Sequence, residues 1–350
     1  MDLAEISYNI VNVVLKIRQG QIITLSSEIH NGYDLDNPLI EIPFLEEIAL
    51  SIRKKKGFPV LDIASENLRK RSFIEINTDN FQLPIQYYEK WVSMSDIFID
   101  FGWRSNPYFV QDIPNRYIQQ FKKTVNDLWT QIQKQNKKIV LMGFPTEALA
   151  KFYNINYSTL KDNYFEALNC NYQNLKKSIL ILEGNLTKSD EWNIITEDRS
   201  LKFSFHENRA IGYYGDFNNS HLILPTGKLE RKVNLESLNG IFYAETLYFE
   251  NIVLNDVQVI FEKGQIHGVD FLNRQSANNT IQNLLLNHID DCFLSIGMNP
   301  NLNNPIKYLL FDECIKKNTM LKLSINNKII SLGNIHANIS QKDKDILSEV

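Results

Sequence analysis

The sequence has 350 residues, which is enough for roughly two domains of ~150 residues each. Hydrophobic residues make up 43% of the chain and charged residues 22%, so we expect a sizeable packed core. The formal net charge of -4 gives no general attraction to phosphate backbones or to anionic lipid. Composition and charge therefore argue against a nucleic-acid-binding protein and against a membrane-surface protein.

The first twenty residues have the pattern of an amphipathic helix. Apolar residues recur at helical spacing from Leu3 to Ile17, and Gly20 is expected to end the helix. Asp2 and Glu5 stand where a secretion signal would carry its basic leader, and no uninterrupted apolar stretch follows them. No segment of the chain approaches the ~20 apolar residues that a membrane span needs. These features predict a cytoplasmic protein.

Three cysteines, Cys170, Cys292 and Cys314, lie far apart in the sequence. Their spacing matches neither a zinc site nor a disulfide framework. We expect each of them to be a buried, small apolar residue.

The first half of the chain alternates between strand and helix patterns. Apolar, β-branched runs predict strands at 22–29, 58–65, 95–103 and 137–145. Helical patterns at 43–57 and 113–138 separate them, and 146–182 reads as a helical connector. Strands separated by helices of this length predict a parallel sheet that is covered on both faces.

The second half has a different pattern, which begins near Gly184. Period-two and aromatic stretches occupy 200–212, 240–272 and 308–325, and Asn, Gly and Asp punctuate them. This pattern is typical of an antiparallel or mixed sheet. One predicted helix, 278–293, interrupts it. We therefore expect an N-terminal α/β domain with its helical connector at 1–183 and a β-rich α+β domain at 184–350.

The sequence lacks a dinucleotide fingerprint, a phosphate loop, an HExxH motif and a nucleophile elbow. Four segments of the second half carry polar residues in settings that could hold a site: LPTGKL, LSIGMNPN, FDECIKKN and NIHANIS. Each has an ordinary structural explanation as well, namely a turn, a strand end, or a surface or core histidine. The side chains that stand out in or beside them are His221, Lys228, Asp312, Glu313, His336 and Asn338.

Taken in order, these segments resemble the thermophilic aminopeptidase family, of the aminopeptidase T and PepS type. SNPYFVQDIPNRYIQQ is similar to the family's Asn-Pro segment, and the region from SLKFSF to LPTGKL resembles its Pro-x-Gly-Glu region. FEKGQIHGV resembles its Phe-x-x-Gly hairpin, FDECIKKN its Phe-Asp-Glu segment, and NIHANIS its His-x-Asp ending. The resemblance covers nearly the whole chain.

The resemblance implies an α/β domain followed by a β-rich domain that holds two divalent metal ions. Proteins of this family are usually dimers and remove N-terminal amino acids from peptides. Two cations held by carboxylates and imidazoles activate a water molecule and polarise the scissile carbonyl group. The resemblance therefore implies a homodimer whose partner is a peptide or a peptide N-terminus.

Several of the expected metal ligands are replaced in this sequence. Glu313, Asp312 and His336 match the family's pattern, and the family's tyrosine position falls near Ile325. The replacements are Lys228 for the glutamate after Pro-x-Gly, Met298 for the glutamate after Gly297, Asn318 for histidine, and Asn338 for aspartate. A lysine cation where an anion should sit opposes metal binding, and a thioether does not suit metals that prefer oxygen ligands.

These replacements predict that the Lys228 ammonium group takes a former metal position and pairs with Glu313 or Asp312. The alternative is that Lys228 points into solvent. We expect no metal cofactor, and the alternative is one weakly bound zinc, cobalt or manganese ion with Glu313 and His336 as residual ligands. Glu230, two residues beyond Lys228, could also enter the site through a bulge.

The sequence favours an aminopeptidase-like protein that binds a peptide without hydrolysing it. The candidate peptide-binding residues are His221, Asn318 and Asn338. The alternatives are an active metal-dependent aminopeptidase, an enzyme with new chemistry in the same cleft, and a purely structural dimer. For an enzyme, the candidate catalytic residues are Glu313, His336 and Lys228: Glu313 and His336 would supply acid/base function, and Lys228 would polarise a carbonyl group.

Overall fold

A computed structural model describes residues 2–29, 41–65, 68, 71–72, 75, 85–101, 107–108, 113–186, 191–206, 209–218, 220–250, 252–273, 278–341, 344–345 and 347. The chain divides into two compact units. The first unit consists of Met1–Asn169 with Gly215–Leu224, and the second of Cys170–Tyr214 with Pro225–Val350. No helix in these ranges is both long enough and apolar enough to cross a membrane.

The first unit contains a parallel sheet of five strands in the order β2-β1-β3-β4-β8. The strands are β1 (Ile22–Ile29), β2 (Phe58–Ser65), β3 (Ile97–Asp100), β4 (Lys138–Met142) and β8 (His221–Leu224). The first four confirm the predicted strands. The fifth is an addition from much later in the chain, and the sequence pattern did not assign it to this sheet.

Helices lie before, between and after these strands. They are Leu3–Asn9 with the π-helix Ile10–Val14, then Glu41–Lys54, Ile85–Met94, Asn115–Lys134, Glu147–Tyr153 and Tyr157–Leu168. The N-terminal helix stops well before Gly20, because its last turn widens into the π-helix and Lys16 adopts a φ of 53°. One core cluster of the unit joins two helices to β3 and β4, and its buried residues are Val92, Phe98, Ile132, Ile139 and Leu141.

The second unit contains a sheet of twelve strands whose neighbouring pairs are antiparallel. Ten of its strands follow the order β17-β16-β5-β6-β10-β15-β14-β13-β9-β7, and β11 and β12 extend it from β10. In chain order, the first seven strands of this sheet are β5 (Trp192–Thr196), β6 (Arg199–Phe203), β7 (Ile211–Tyr213), β9 (Lys228–Lys232), β10 (Asn239–Phe249), β11 (Ile252–Glu262) and β12 (Gln265–Phe271). The other five are β13 (Asp291–Gly297), β14 (Thr319–Ile325), β15 (Lys328–Asn334), β16 (Asn338–Gln341) and β17 (Lys344–Asp345). The predicted fold class, an α/β part followed by a β-rich part, is confirmed.

The helices of the second unit are Tyr172–Leu186, Asn279–Leu285 and Leu309–Asp312, with a 3-10 turn at Leu235–Ser237. Two predictions about this region were wrong. The helix expected at 278–293 ends at Leu285, and 291–293 instead form the start of β13, where they pair with β14. The strand expected at 308–325 begins only at Thr319, and Leu309–Asp312 forms a short helix before it.

The compact units also differ from the expected division at 183/184. The helix Tyr172–Leu186, expected as a connector of the first domain, belongs to the second unit, where it packs against β7 and β9. The strand His221–Leu224 returns to the first unit because it pairs with β4. The three cysteines are buried and unpaired, as expected.

Candidate functional site

The turn before β9 fixes the position of Lys228. Gly227 has a φ of 130°, a backbone angle that residues with a side chain rarely adopt. A Cβ atom there would also lie 2.9 Å from the backbone nitrogen of Asn299. The Asn299 side-chain amide donates a hydrogen bond to the Thr226 carbonyl at 2.8 Å, and the Met298 amide donates to the Gly227 carbonyl at 2.7 Å. The Pro-Thr-Gly turn is therefore held against the end of β13.

The alternation of side chains along β9 places Lys228, Glu230 and Lys232 on one face of the sheet. Glu230 therefore joins Lys228 through ordinary strand geometry, and the bulge considered from the sequence is not needed. Across the sheet, Lys232 and Lys322 are the two register partners of Phe293 on β13, so Lys322 of β14 lies on this face too.

Glu313 reaches the same face from the segment that follows the helix Leu309–Asp312. Gly297 is the register partner of Lys228, and a Cβ atom on it would lie 2.0 Å from the carbonyl oxygen of Ile315. Only a glycine lets this segment pass so close to β13. The backbone hydrogen bonds between Gly297 and Asn318, and between Asn299 and Cys314, hold the segment there.

These residues form a group of two lysines and two glutamates, Lys228, Glu230, Glu313 and Lys322, which we call the ion quartet. The Lys228 ammonium lies 2.9 Å from Glu230 Oε1 and 2.9 Å from Glu313 Oε2. The Lys322 ammonium lies 2.6 Å from Glu230 Oε1 and 2.5 Å from Glu313 Oε2. One oxygen atom of each carboxylate therefore faces both ammonium groups.

The ion quartet is largely removed from solvent. The exposed fractions of its side chains are 12% for Lys228, 15% for Glu230, 10% for Glu313 and 16% for Lys322. Burial alone raises the pKa of Glu230, but the two lysines outweigh it and lower that pKa to about 2. The same balance lowers the pKa of Glu313. Both carboxylates are therefore ionised near neutral pH, and their ion pairs with the two ammonium groups balance the charge.

The pKa of Lys228 is raised well above its ordinary value. Burial acts in the opposite direction, but Glu313 and Glu230 together outweigh it. The ammonium also lies 4.8 Å from the centre of the Tyr213 ring, a cation–π arrangement. Burial and the nearby Glu230 raise the pKa of Tyr213 to about 12. Lys228 is therefore a fixed cation rather than a base or a nucleophile at neutral pH.

Asp312 is adjacent to Glu313 in sequence but has a different set of contacts. Its Oδ2 accepts a hydrogen bond from the Tyr248 hydroxyl at 2.5 Å, and its Oδ1 accepts one from the Ile306 amide at 2.9 Å. Burial raises the pKa of Asp312 to about 6. Of the two predicted partners for Lys228, the structure brings it to Glu313, while Asp312 holds the loop before its own helix.

Asn318 is buried, and its side-chain amide donates a hydrogen bond to the Asp312 carbonyl at 2.5 Å. This contact closes the turn between the short helix and β14. Met298 and Ile325 are buried apolar residues. The amide nitrogen of Asn318 thus has a structural contact, whereas its Oδ1 atom is buried with no hydrogen-bond partner among the described residues. Ile325 lies in the core, at the position expected near the family's tyrosine.

His336 and Asn338 are not joined to the ion quartet by any polar contact in the described ranges. The His336 side chain is 78% exposed, and its Nδ1 atom lies 2.5 Å from Glu245 Oε1. His336 occupies a turn, whereas Asn338 begins β16, where it is the register partner of Ile195. The segment is therefore not extended through both residues.

His221 lies in the first unit, as the first residue of β8. Its ring stacks on that of Trp129 at 5.2 Å between centroids, with 7° between the planes. The His221 ring therefore packs against an aromatic neighbour of the first unit.

The donor set of the ion quartet does not suit a pair of divalent metal ions. One oxygen atom of each carboxylate already faces two ammonium groups, so a metal ion bound by these carboxylates would be repelled by both cations. Within the described part of the chain, no three His, Cys, Asp or Glu side chains lie close enough together to hold a metal. Glu313 and His336, the residual metal candidates, have separate partners.

A cavity of about 460 Å³ opens beside the ion quartet, and its lining lies within the second unit. We call it the quartet cavity. Lys228, Glu230 and Lys322 supply one charged part of its lining. The apolar lining residues are Ile211, Tyr213, Phe293, Leu323 and Ile329. The volume lies within the range of about 300–1,000 Å³ that is common for small-molecule sites.

Lys322 is the site residue that the sequence analysis missed. It stands between Leu321 and Leu323, two buried residues of a period-two apolar strand. A lysine on the alternate face of such a strand is ordinary when that face is solvated, so the pattern gave no reason to select it. The second cation could have been suspected only by knowing that β13 lies between β9 and β14.

A scan against models of known protein families finds no match, and no curated protein matches the sequence. Among solved structures, the chain is similar to wild-type AmpT from Thermus thermophilus, with a TM-score of 0.64 at 12% sequence identity. The likeness covers 96% of this chain and 94% of that chain. At this identity the comparison shows an aminopeptidase-like fold, and it shows the fold alone.

Proposed function

We propose that this protein is an aminopeptidase-like protein that binds a peptide without hydrolysing it. The observation that carries the proposal is the ion quartet, in which two ammonium groups neutralise Glu230 and Glu313. In a dinuclear peptidase the carboxylates offset the charge of two metal ions. Here Lys228 and Lys322 supply that compensation, so the carboxylates are satisfied without a metal.

Loss of hydrolysis follows from the chemistry of the cations. A metal ion activates water because it is a Lewis acid with an open coordination position, and an ammonium group has no such position. The raised pKa of Lys228 also keeps it protonated, so it cannot take a proton from water. The remaining function that fits an aminopeptidase-like fold with an open cavity is recognition of a peptide.

The enzymatic alternatives need Glu313 as a proton carrier with His336 as its partner. The lowered pKa of Glu313 opposes such a role, and the contacts of His336 go to Glu245 instead. Lys228 could still polarise a carbonyl group, but its described ion pairs already engage it with two carboxylates. Among the residues that the structure describes, no specific contact favours new chemistry over binding.

The experiment is an aminopeptidase assay beside a binding assay. Purified protein is mixed with leucine p-nitroanilide in the presence of zinc, cobalt or manganese, with and without a chelator. The proposal predicts no chelator-sensitive release of nitroaniline, together with measurable binding of short peptides by calorimetry. Robust turnover that the chelator abolishes would establish an active metalloaminopeptidase and overturn the proposal.

We extend the proposal to a cytoplasmic homodimer that binds neither nucleic acid nor membranes. The net charge of -4 supports the exclusion of polyanions, and the resemblance to the thermophilic aminopeptidases supports the dimer. Light scattering coupled to size-exclusion chromatography tests the dimer, and a monomeric mass at micromolar concentration would contradict it.

A further inference from the structure

The charges that line the quartet cavity are strongly unequal. Four of the described lining residues are cationic, namely Arg209, Lys228, Lys232 and Lys322. Glu230 is the single carboxylate among these lining residues. Glu313 completes the ion quartet but does not line the cavity. The partners of Arg209 and Lys232, which are Glu183 and Asp291, also lie outside the lining.

The ion quartet also offers more N–H donors than its described ion pairs use. Glu230 Oε1 and Glu313 Oε2 each face two ammonium groups. An ammonium group has three N–H donors, and the described ion pairs of Lys322 involve two carboxylates. Lys322 therefore has one donor beyond its two partners, and its side chain lines the cavity.

The apolar part of the lining extends to the protein surface. Ile211 is 47% exposed and Ile329 is 64% exposed, and both line the quartet cavity. Large aliphatic side chains left in water at a cavity edge offer area that an apolar ligand group can cover. The cavity thus combines a cationic donor with an apolar wall.

We propose that the quartet cavity binds a carboxylate group next to an apolar substituent, so that a peptide enters with its C-terminal residue. This inference rests on the proposed peptide-binding function and names the end of the peptide that is recognised. The ligand carboxylate accepts the remaining donor of Lys322, and the apolar side chain covers Ile211 and Ile329. A ligand ammonium group would instead face several cations and a carboxylate that is already engaged.

The test uses four versions of the tripeptide Ala-Leu-Phe: unmodified, N-acetylated, C-amidated, and modified at both ends. Calorimetry measures the Kd of each for the full-length protein. A hydrogen bond to a charged group corresponds to about a tenfold to hundredfold change in Kd. We expect C-amidation to weaken binding by at least about tenfold, and N-acetylation to change it by less than about twofold. The opposite pattern would overturn the inference while leaving peptide binding intact.

A second ligand pair separates this inference from the proposed function. The carboxylate 4-phenylbutyrate and its amide carry the same apolar group but no peptide bond. If all four peptides fail to bind while phenylbutyrate binds better than its amide, peptide recognition is wrong and the carboxylate site stands. If neither the peptides nor phenylbutyrate bind, both proposals are contradicted.

Lys322→Gln supplies the matched variant, with Lys328→Gln as its control. Lys328 lies on the neighbouring strand β15, is 51% exposed and pairs with the exposed Glu250. We expect Lys322→Gln to abolish the preference for acid over amide and Lys328→Gln to retain it. If Lys322→Gln does not fold, the ligand series on the unaltered protein still decides the question, because an equal Kd for acid and amide would contradict the inference.

Discussion

The ammonium groups of Lys228 and Lys322 share one carboxylate oxygen, Glu313 Oε2, at 2.9 and 2.5 Å. They come from β9 and β14, which are separated in the sheet by β13. Their mutual repulsion is offset because Glu230 Oε1 bridges the same two cations. The ion quartet is neutral as a whole, and its charge balance depends on every member. Substitution of any one of them should therefore have a measurable effect on stability.

Removal of one carboxylate should be strongly destabilising. Glu313→Gln leaves two buried ammonium groups with a single counter-charge, and breaking a buried pair in this way costs about 3–5 kcal/mol. The matched control is Glu250→Gln, which removes an exposed pair with Lys328 at 3.5 Å and should cost no more than about 1 kcal/mol. Urea unfolding measures both free energies. Equal effects of the two substitutions would show that the ion quartet is not a buried, coupled unit.

Removal of one cation and one carboxylate together should cost less than the sum of the single changes. Lys322→Met and Glu230→Leu each leave an uncompensated charge, whereas the double variant retains the balanced pair of Lys228 and Glu313. The coupling free energy should therefore be favourable, at about 1–3 kcal/mol. A double-mutant cycle in urea gives this quantity directly, and strict additivity would contradict the geometry.

Glycine should be required at Gly297. A Cβ atom there would lie 2.0 Å from the Ile315 carbonyl oxygen, so Gly297→Ala must push the segment that carries Glu313 away from β13. We expect a loss of about 3 kcal/mol. Gly184 provides the control, because a Cβ atom on it meets nothing within 4 Å and it lies inside a helix. Gly184→Ala should stabilise the protein by about 0.5–1 kcal/mol, and a similar loss at both positions would contradict this explanation.

Two of the buried carboxyl groups, Glu230 and Asp312, should give opposite pH dependences of stability. Glu230, with a pKa lowered from 4.5 to about 2, stabilises the fold above about pH 4.5, and this contribution is lost as the pH falls towards 2. The reason is that the unfolded chain binds the proton first. Glu230→Gln should therefore flatten the pH dependence of the unfolding free energy between about pH 2 and 4.5, and an unchanged slope would contradict the lowered pKa.

Asp312 should act in the other direction. Burial raises its pKa from 3.8 to about 6, so the folded protein binds the proton more tightly than the unfolded chain does. Its contribution to the unfolding free energy therefore falls as the pH rises from about 4 to about 6. Asp312→Asn should remove this fall, and urea titrations at a series of pH values measure it. A wild-type slope that survives in Asp312→Asn would assign the effect to another group.

The sequence predicted four of the five strands of the first sheet. The strands β3 and β4 are short, buried apolar runs, and β1 and β2 each begin with a short stretch rich in apolar residues. The resemblance to the thermophilic aminopeptidases placed Lys228, Glu313 and Asp312 in one site. The lysine in place of a glutamate then suggested an ion pair with one of the two carboxylates. The sequence could not place Lys322, since the strand order β9-β13-β14 is a long-range property that no local pattern encodes. For the same reason, the sequence did not predict that His221–Leu224 pairs with β4 in the first sheet. It also assigned His336 to the site of Lys228 and Glu313, although no described polar contact joins His336 to them.

The central claim is that the cations of Lys228 and Lys322 take the role that metal ions have in a dinuclear peptidase. The most direct test is metal analysis by plasma mass spectrometry after dialysis of the purified protein against zinc, cobalt and manganese, with removal of unbound ions. We predict a metal content far below one equivalent per chain, because each carboxylate is already neutralised. One or two equivalents of a metal that only a chelator removes would contradict the claim.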